Sequence, residues 1–360
     1  MIQFNILHAV LYYHAGTVMN KNFQKDTMNI VTKPYANAFI QFARPRPDVL
    51  CLSADLTSSC EIDKFREQFP ERFFSMGMTE QHTLSFCAGL AMEGFRPFFH
   101  TFSVFLYRRP YDQLVNSIAY SNRKVRLMGF LPGITTPGGI THQAIEDIAI
   151  LRSVPNMTLL ETGDATEVET VLEVADAVDG PVYVRILRGT VPRLFDTPFV
   201  FNQLRVLSQG TDVLVVSSGI TTEEAMRASH ALRQAGVMVT HLHVSTLKPF
   251  AKQQLLDALE NVKYGVVTLE NHTVVGGLGS IVAEILAEHG IGKKLIRLGL
   301  QDTFAHGASR PYLMKKYQLD AMALVTAIER LMGISTGISE NDLQAVRLDA
   351  VHSVAKAEAL

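Results

Sequence analysis

The stretch SMGMTEQHTLSFCAGLAMEGF, residues 75–95, lies between two β-rich runs, RFFSMGM (72–78) and RPFFHTF (96–102), and reads as a helix joining two strands. Its body is apolar or small, yet its first turn carries a carboxylate, Glu80. A glutamate there is ordinarily a favourable charge at the positive end of the helix dipole. Behind it, Ala88, Gly89 and Ala91 present a small face that permits close approach of another element, including one from a second chain.

The same alternation extends in both directions. DVLCLSAD (48–55), KVRLMGF (124–130), MTLLET (157–162) and PVYVRIL (181–187) are further strand-like runs, with amphipathic segments between them. This pattern predicts a mostly parallel sheet flanked by helices. A second series follows: DVLVVSSG (212–219), VMVTHLHV (237–244), YGVVTLE (264–270) and KKLIRLG (293–299) alternate with helical segments such as TTEEAMRASHALRQAG (221–236) and GSIVAEILAEHG (279–290). The chain therefore reads as α/β with two domains, at 30–195 and 211–335. They are joined by a linker at 196–210, preceded by an extension at 1–29 whose Met19 or Met28 could be the true start, and followed by a tail at 336–360.

The composition agrees with a globular chain: 360 residues, 47% hydrophobic, 19% charged, with a formal net charge of −2. That is enough to build large cores. Charges of both signs are interspersed, without a basic stripe for nucleic acid or a polybasic run for a membrane surface. The first 17 residues are apolar but fit neither a secretory signal nor a spanning helix. Cys51, Cys60 and Cys87 lack metal-ligand spacing and read as reduced core thiols of a cytoplasmic protein. The cluster VGGLGS (275–280), between a strand and a helix, could receive an anion or could simply permit a tight turn.

In open α/β sheets, ligands gather at the carboxyl ends of strands. Glu80, the aromatics Phe102 and Phe105, and His142 in the long loop after KVRLMGF would converge there. Here the sequence resembles a family. MTEQHTLSFCAGLAMEGFRPFFHTFSVFLYRRPYDQL (78–114), GGITHQAIEDIAILRSVPNMTLLETGDATE (138–167), PVYVRILRG (181–189) and LSADLTSS (52–59) resemble the pyrimidine-binding domain of transketolases and of deoxyxylulose-phosphate synthases. TLENHTVVGGLGSIVAEIL (268–286) is similar to the transketolase C-terminal domain.

The resemblance implies thiamine diphosphate as cofactor. Glu80 would accept a hydrogen bond from a ring nitrogen of its aminopyrimidine and favour the tautomer that removes the thiazolium proton; Phe102 and Phe105 would pack on the pyrimidine, with Asp55 close by. His142 would contact substrate and move protons. Arg188, Ser59, Arg109 and Lys33 would bind a sugar or sugar phosphate. His82, His100, His272 and His306 read as structural. Relatives place an acidic residue where Gly138 stands and a polar one near Phe130-Leu131, so the substrate should differ from an ordinary aldose phosphate.

The Gly-Asp-Gly motif that holds magnesium and diphosphate in this superfamily is missing, and Gly163-Asp164-Ala165 does not replace it. The resemblance therefore implies the C-terminal subunit of a split transketolase, with no metal ligands of its own. A separate N-terminal subunit would bind Mg2+ and the diphosphate, in a heterotetramer. The implied reaction is transfer of a two-carbon ketol unit from ketose to aldose. The β subunit of a 2-oxo-acid dehydrogenase, a deoxyxylulose-phosphate synthase-like enzyme and a non-catalytic stabilising subunit are the alternatives.

Overall fold

The computed structural model describes residues 30–344. The expected extension at 1–29 and the tail beyond 344 lie outside the described residues. Eight strands belong to the first part of the chain: β1 (Ile30–Thr32), β2 (Val49–Ser53), β3 (Phe73–Ser75), β4 (Arg96–Phe102), β5 (Arg126–Phe130), β6 (Thr158–Glu161), β7 (Val182–Ile186) and β8 (Thr190–Pro192). Six follow: β9 (Leu204–Ser208), β10 (Val213–Ser218), β11 (Val239–Val244), β12 (Thr246–Lys248), β13 (Gly265–Thr273) and β14 (Lys294–Leu300).

The larger sheet has the order β12-β6-β7-β5-β4-β2-β3, and the smaller one β14-β13-β10-β11-β9. Within them only β12 and β9 run antiparallel to their neighbours. The continuous apolar runs have their physical reason here: β2, β5 and β7 are buried along their whole length, because helices cover both faces of a parallel sheet. The Pro34–Ala43 helix starts on proline, whose fixed φ suits a first helical turn, and packs with the Ala165–Ala177 helix.

Two expectations are corrected. The segment at 196–210, expected to be a linker, contains β9, which closes an edge of the second sheet. Its pattern was weak because only Leu204 is buried while Val206 is half exposed. The chain also crosses back after β11: β12 pairs with β6 and so extends the first domain's sheet with residues that follow the second domain's first strands. The expected tail begins with a packed helix, Glu340–Gln344, whose Leu343 is buried.

Between the domains lies a buried polar layer. Arg185, 1% exposed, pairs with Asp147 at 3.0 Å and Glu161 at 2.5 Å and donates to the carbonyl of Asn271 across the boundary at 2.9 Å. Nearby, the Glu167 carboxylate bonds His243 at 3.0 Å and Ser245 at 2.6 Å. Among the described residues no helix is long and apolar enough to cross a membrane.

Candidate functional site

Parallel strands deliver the candidate residues to one edge. Glu80 follows β3, Asp55 and Ser59 follow β2, Phe102 ends β4, His142 lies in the loop after β5, and Arg188 follows β7. Lys33 is brought in by β1, which pairs with β8.

Glu80 is the first residue of the Glu80–Met92 helix and is 3% exposed. The helix has no side-chain cap, so its N-terminal dipole favours a carboxylate there. Arg109 donates from Nη1 to Glu80 Oε1 at 2.5 Å, and its guanidinium lies 3.8 Å over the ring of Phe105. Phe105 stacks on Phe102 with centroids 6.0 Å apart. The His142 ring meets both edge-on, 5.5 Å from Phe105 and 6.1 Å from Phe102. Glu80, Arg109, Phe105, Phe102 and His142 thus form one continuous cluster. Burial, helped by the charge of Arg109, holds the His142 imidazole below its usual proton affinity. Its Nδ1 shares a 2.8 Å hydrogen bond with the Thr141 hydroxyl.

A second group forms beside β2. Arg188 donates to the carbonyl of Ser59 at 2.8 Å, and the Lys33 amide donates to the carbonyl of Gly189 at 2.7 Å. Glu61 accepts from the Gly189 amide at 2.6 Å and brings a carboxylate into the group. Asp55 stands exposed at the start of the same loop, with φ 61°, a conformation aspartate tolerates better than most residues.

The positions expected to depart from the family's pattern, Phe130-Leu131 and Gly138, take different forms. Phe130 is fully buried, its ring edge-on to Tyr35 at 5.1 Å, so it belongs to the core. Gly138 lies directly under His142: a Cβ there would sit 3.0 Å from the His142 Cβ and 3.1 Å from Nδ1. Any side chain at 138 would press on the imidazole.

The remaining expectations resolve as follows. The helix opened by VGGLGS is already served from within this chain by the carboxyl of Glu270, whose pKa burial pushes up to about 8 and which accepts from Leu278 at 2.6 Å and Gly279 at 2.8 Å. The turn reading is the correct one. Asp164 caps the Ala165–Ala177 helix through the Glu167 amide and accepts from the amides of Leu194 and Phe195, all at 2.8 Å. His100 is buried on the Tyr35 hydroxyl at 2.6 Å, and His272 is buried on the Thr273 carbonyl at 2.7 Å. His82 stacks on Phe86 at the surface, and His306 bonds Tyr317. All three thiols are buried, which raises their pKa values. Among the described residues, no three His, Cys, Asp or Glu side chains are grouped to hold a metal ion.

Sequence reading missed Arg108, Gln143 and Asn271, which grip the His142 loop. Arg108 grips the Glu146 carboxylate with two hydrogen bonds, at 2.5 and 2.7 Å. Its neighbour Arg109 drew the attention, and only the fold shows which arginine turns inward.

Two domain models match the chain, the transketolase pyrimidine-binding domain over residues 30–193 and the transketolase C-terminal domain over 202–324. A transketolase family protein of Sinorhizobium fredii is 37% identical over 300 residues, 82% of this chain and 87% of that protein. A 6-deoxy-6-sulfo-D-fructose transketolase subunit of a Clostridium species is 35% identical, over 81% of this chain and 91% of its own. The 1-deoxy-D-xylulose-5-phosphate synthase 1 of Geobacter sulfurreducens is 32% identical, but the match spans only 47% of that enzyme. Among solved structures, a split-gene transketolase in an inactive β4 tetramer aligns with TM-score 0.75 and 34% identity, covering 84% of this chain and 97% of that one. Thiamine diphosphate is the cofactor of transketolases and deoxyxylulose-phosphate synthases. Both domains, and relatives matched along most of their own length, place the chain in the transketolase family.

Proposed function

We propose that this chain is the C-terminal subunit of a cytoplasmic, thiamine-diphosphate-dependent transketolase that transfers a two-carbon ketol unit from a ketose to an aldose. The observation that carries the reading is a buried carboxylate, Glu80, set beside an aromatic face, Phe105, in contact with a histidine of lowered proton affinity.

The pyrimidine end of thiamine diphosphate fits these residues. Glu80 offers an ionisable acceptor in a dry setting, where a charge-assisted hydrogen bond to a ring nitrogen is strongest. Phe105, stacked on the buried Phe102, would offer its ring once Arg109, which lies over it, moves aside. When bound, the cofactor supplies the electron sink for carbon–carbon cleavage. Arg109 and the ring nitrogen draw on the same carboxylate, so Arg109 must yield part of its hold on Glu80. His142, neutral near pH 7, would take a proton from a substrate hydroxyl and return it.

We assign the diphosphate and Mg2+ to a separate N-terminal subunit, because this sequence lacks the family's Gly-Asp-Gly motif and its relatives include transketolase subunits of similar extent. Exposed side chains at the two ends of the Glu80–Met92 helix support a partner along it: Met78 before it is 73% exposed, Met92 at its far end 64% and Phe95 beyond it 40%. The split-gene relative solved as a β4 tetramer supports self-association, and hence a heterotetramer. Division of the chain into two domains, with β9 belonging to the second, follows from the same reading.

Arg188, with Ser59 and Lys33 beside it, would take the anionic end of the sugar. A planar guanidinium binds phosphate and sulfonate alike. The relative that acts on a sulfo-sugar supports the second. Purified with its partner, thiamine diphosphate and Mg2+, the chain should transfer ketol groups from at least one member of a panel of neutral, phosphorylated and sulfonated ketoses. Glu80→Gln should lower the rate about 100- to 1000-fold. No transfer from any donor would refute the assignment. Pyruvate-dependent release of carbon dioxide would favour the synthase reading, which the Geobacter relative supports.

A further inference from the structure

The loop that carries His142 runs from residue 131 to 146, and groups outside it set its shape. From the first domain, Arg108 donates to the carbonyls of Ile140 at 2.8 Å and Gln143 at 3.2 Å while gripping Glu146. From the second domain comes Asn271, on β13 and 1% exposed. Its Oδ1 accepts from the Ile134 amide at 2.9 Å, and its Nδ2 donates to the Pro132 carbonyl at 3.0 Å. Its own carbonyl is held by Arg185.

Gln143, next to His142 and fully buried, bridges the same boundary. Its Nε2 lies 3.3 Å from both the Thr136 carbonyl of the loop and the His306 carbonyl of the second domain. The two domains approach here as backbone on backbone. A Cβ at Gly307 would lie 2.6 Å from the Pro137 carbonyl, and one at Gly133, with φ +59°, would run into the Asn271 amide. An amide side chain suits the Asn271 position, since one short group offers both the acceptor and the donor that the loop backbone requires.

We propose that Asn271 and Gln143 are positioning residues, through which the second domain acts as a template for the His142 loop. Neither touches substrate in this account; they act by fixing where the imidazole stands. The proposal rests on the reading that His142 serves the reaction. It gives the second domain a task in the site: a peptide turn that would wander by an ångström when free is pinned at Pro132, Ile134 and Gln143. Misplacement on that scale costs about 100-fold in rate.

The test uses the assembled pair. Asn271→Ala should raise hydrogen–deuterium exchange across residues 132–143 and lower kcat by about 10- to 100-fold, with KM changed less than about threefold. In a His142→Ala background the same substitution should change kcat by less than about twofold, since the group it positions is gone. Arg152→Ala, which removes an interdomain contact to the Gly276 carbonyl, should leave kcat unchanged. Gln143→Leu supplies the same comparisons should Asn271→Ala fail to fold.

Raised exchange with unchanged kcat would overturn the proposal, as would an equal loss of kcat with and without His142. Unaltered exchange would overturn the template itself, whatever the activities. Were His142→Ala as active as wild type, the fault would lie in the role given to His142, and the exchange result would judge the template alone.

Discussion

A carboxylate that is 3% exposed needs a compensating partner, and Glu80 has one in Arg109. Arg109 also lies 3.8 Å over Phe105, whose ring meets His142, so one cation links the carboxylate to the aromatic group. Its charge lowers the proton affinity of His142 beyond what burial does. A histidine pKa depressed in this way keeps the ring neutral, and able to accept a proton, to lower pH. Removing the charge in Arg109→Gln should therefore move the acid limb of the kcat/KM profile to higher pH. An acid limb that stays in place would mean that His142 is not the group reported. That Glu80, Phe102, Phe105 and His142 would lie together was legible in the sequence, because each sits in a contiguous motif at the carboxyl end of a strand. Asn271 was not, since it acts from 129 positions beyond His142 and nothing local marks its amide.

At the scale of elements, two helix N-termini that could have been anion sites are served from within. Glu270 occupies the end opened by the glycine cluster, and Asp164 caps the helix that follows β6. Asp164 also holds the amides of Leu194 and Phe195, tying the entry to the second domain to the first. Asp164→Ala removes a cap and leaves buried donors unmet, so it should destabilise the chain by about 2 to 4 kcal/mol in urea unfolding. A loss below about 0.5 kcal/mol would contradict this role. Parallel strands were legible as continuous apolar runs because both faces are covered. Edge strands were not: β9 buries one residue of five, and β12 depends on a partner, β6, that precedes it by 88 positions.

For the whole molecule, the two-domain α/β architecture followed from alternation alone, while the way the domains meet did not. Their boundary is polar and dry, with Arg185 at 1% exposure among Asp147, Glu161 and two carbonyls. Such groups read in sequence as ordinary strand and loop residues, since burial of a charge depends on partners distant along the chain. Arg185→Met would leave two buried carboxylates without their cation and should destabilise the chain by about 3 to 5 kcal/mol. Thermal unfolding of the variant checks this, and an unchanged midpoint would contradict it.

The central claim is that the cofactor site is complete only when this chain meets its partner. Calorimetric titration of thiamine diphosphate with Mg2+ into each chain alone and into the purified pair tests it most directly. Binding by the pair only, weakened by Glu80→Gln, is the predicted result. Tight binding by this chain alone, or binding to the pair that Glu80→Gln leaves unchanged, would contradict it.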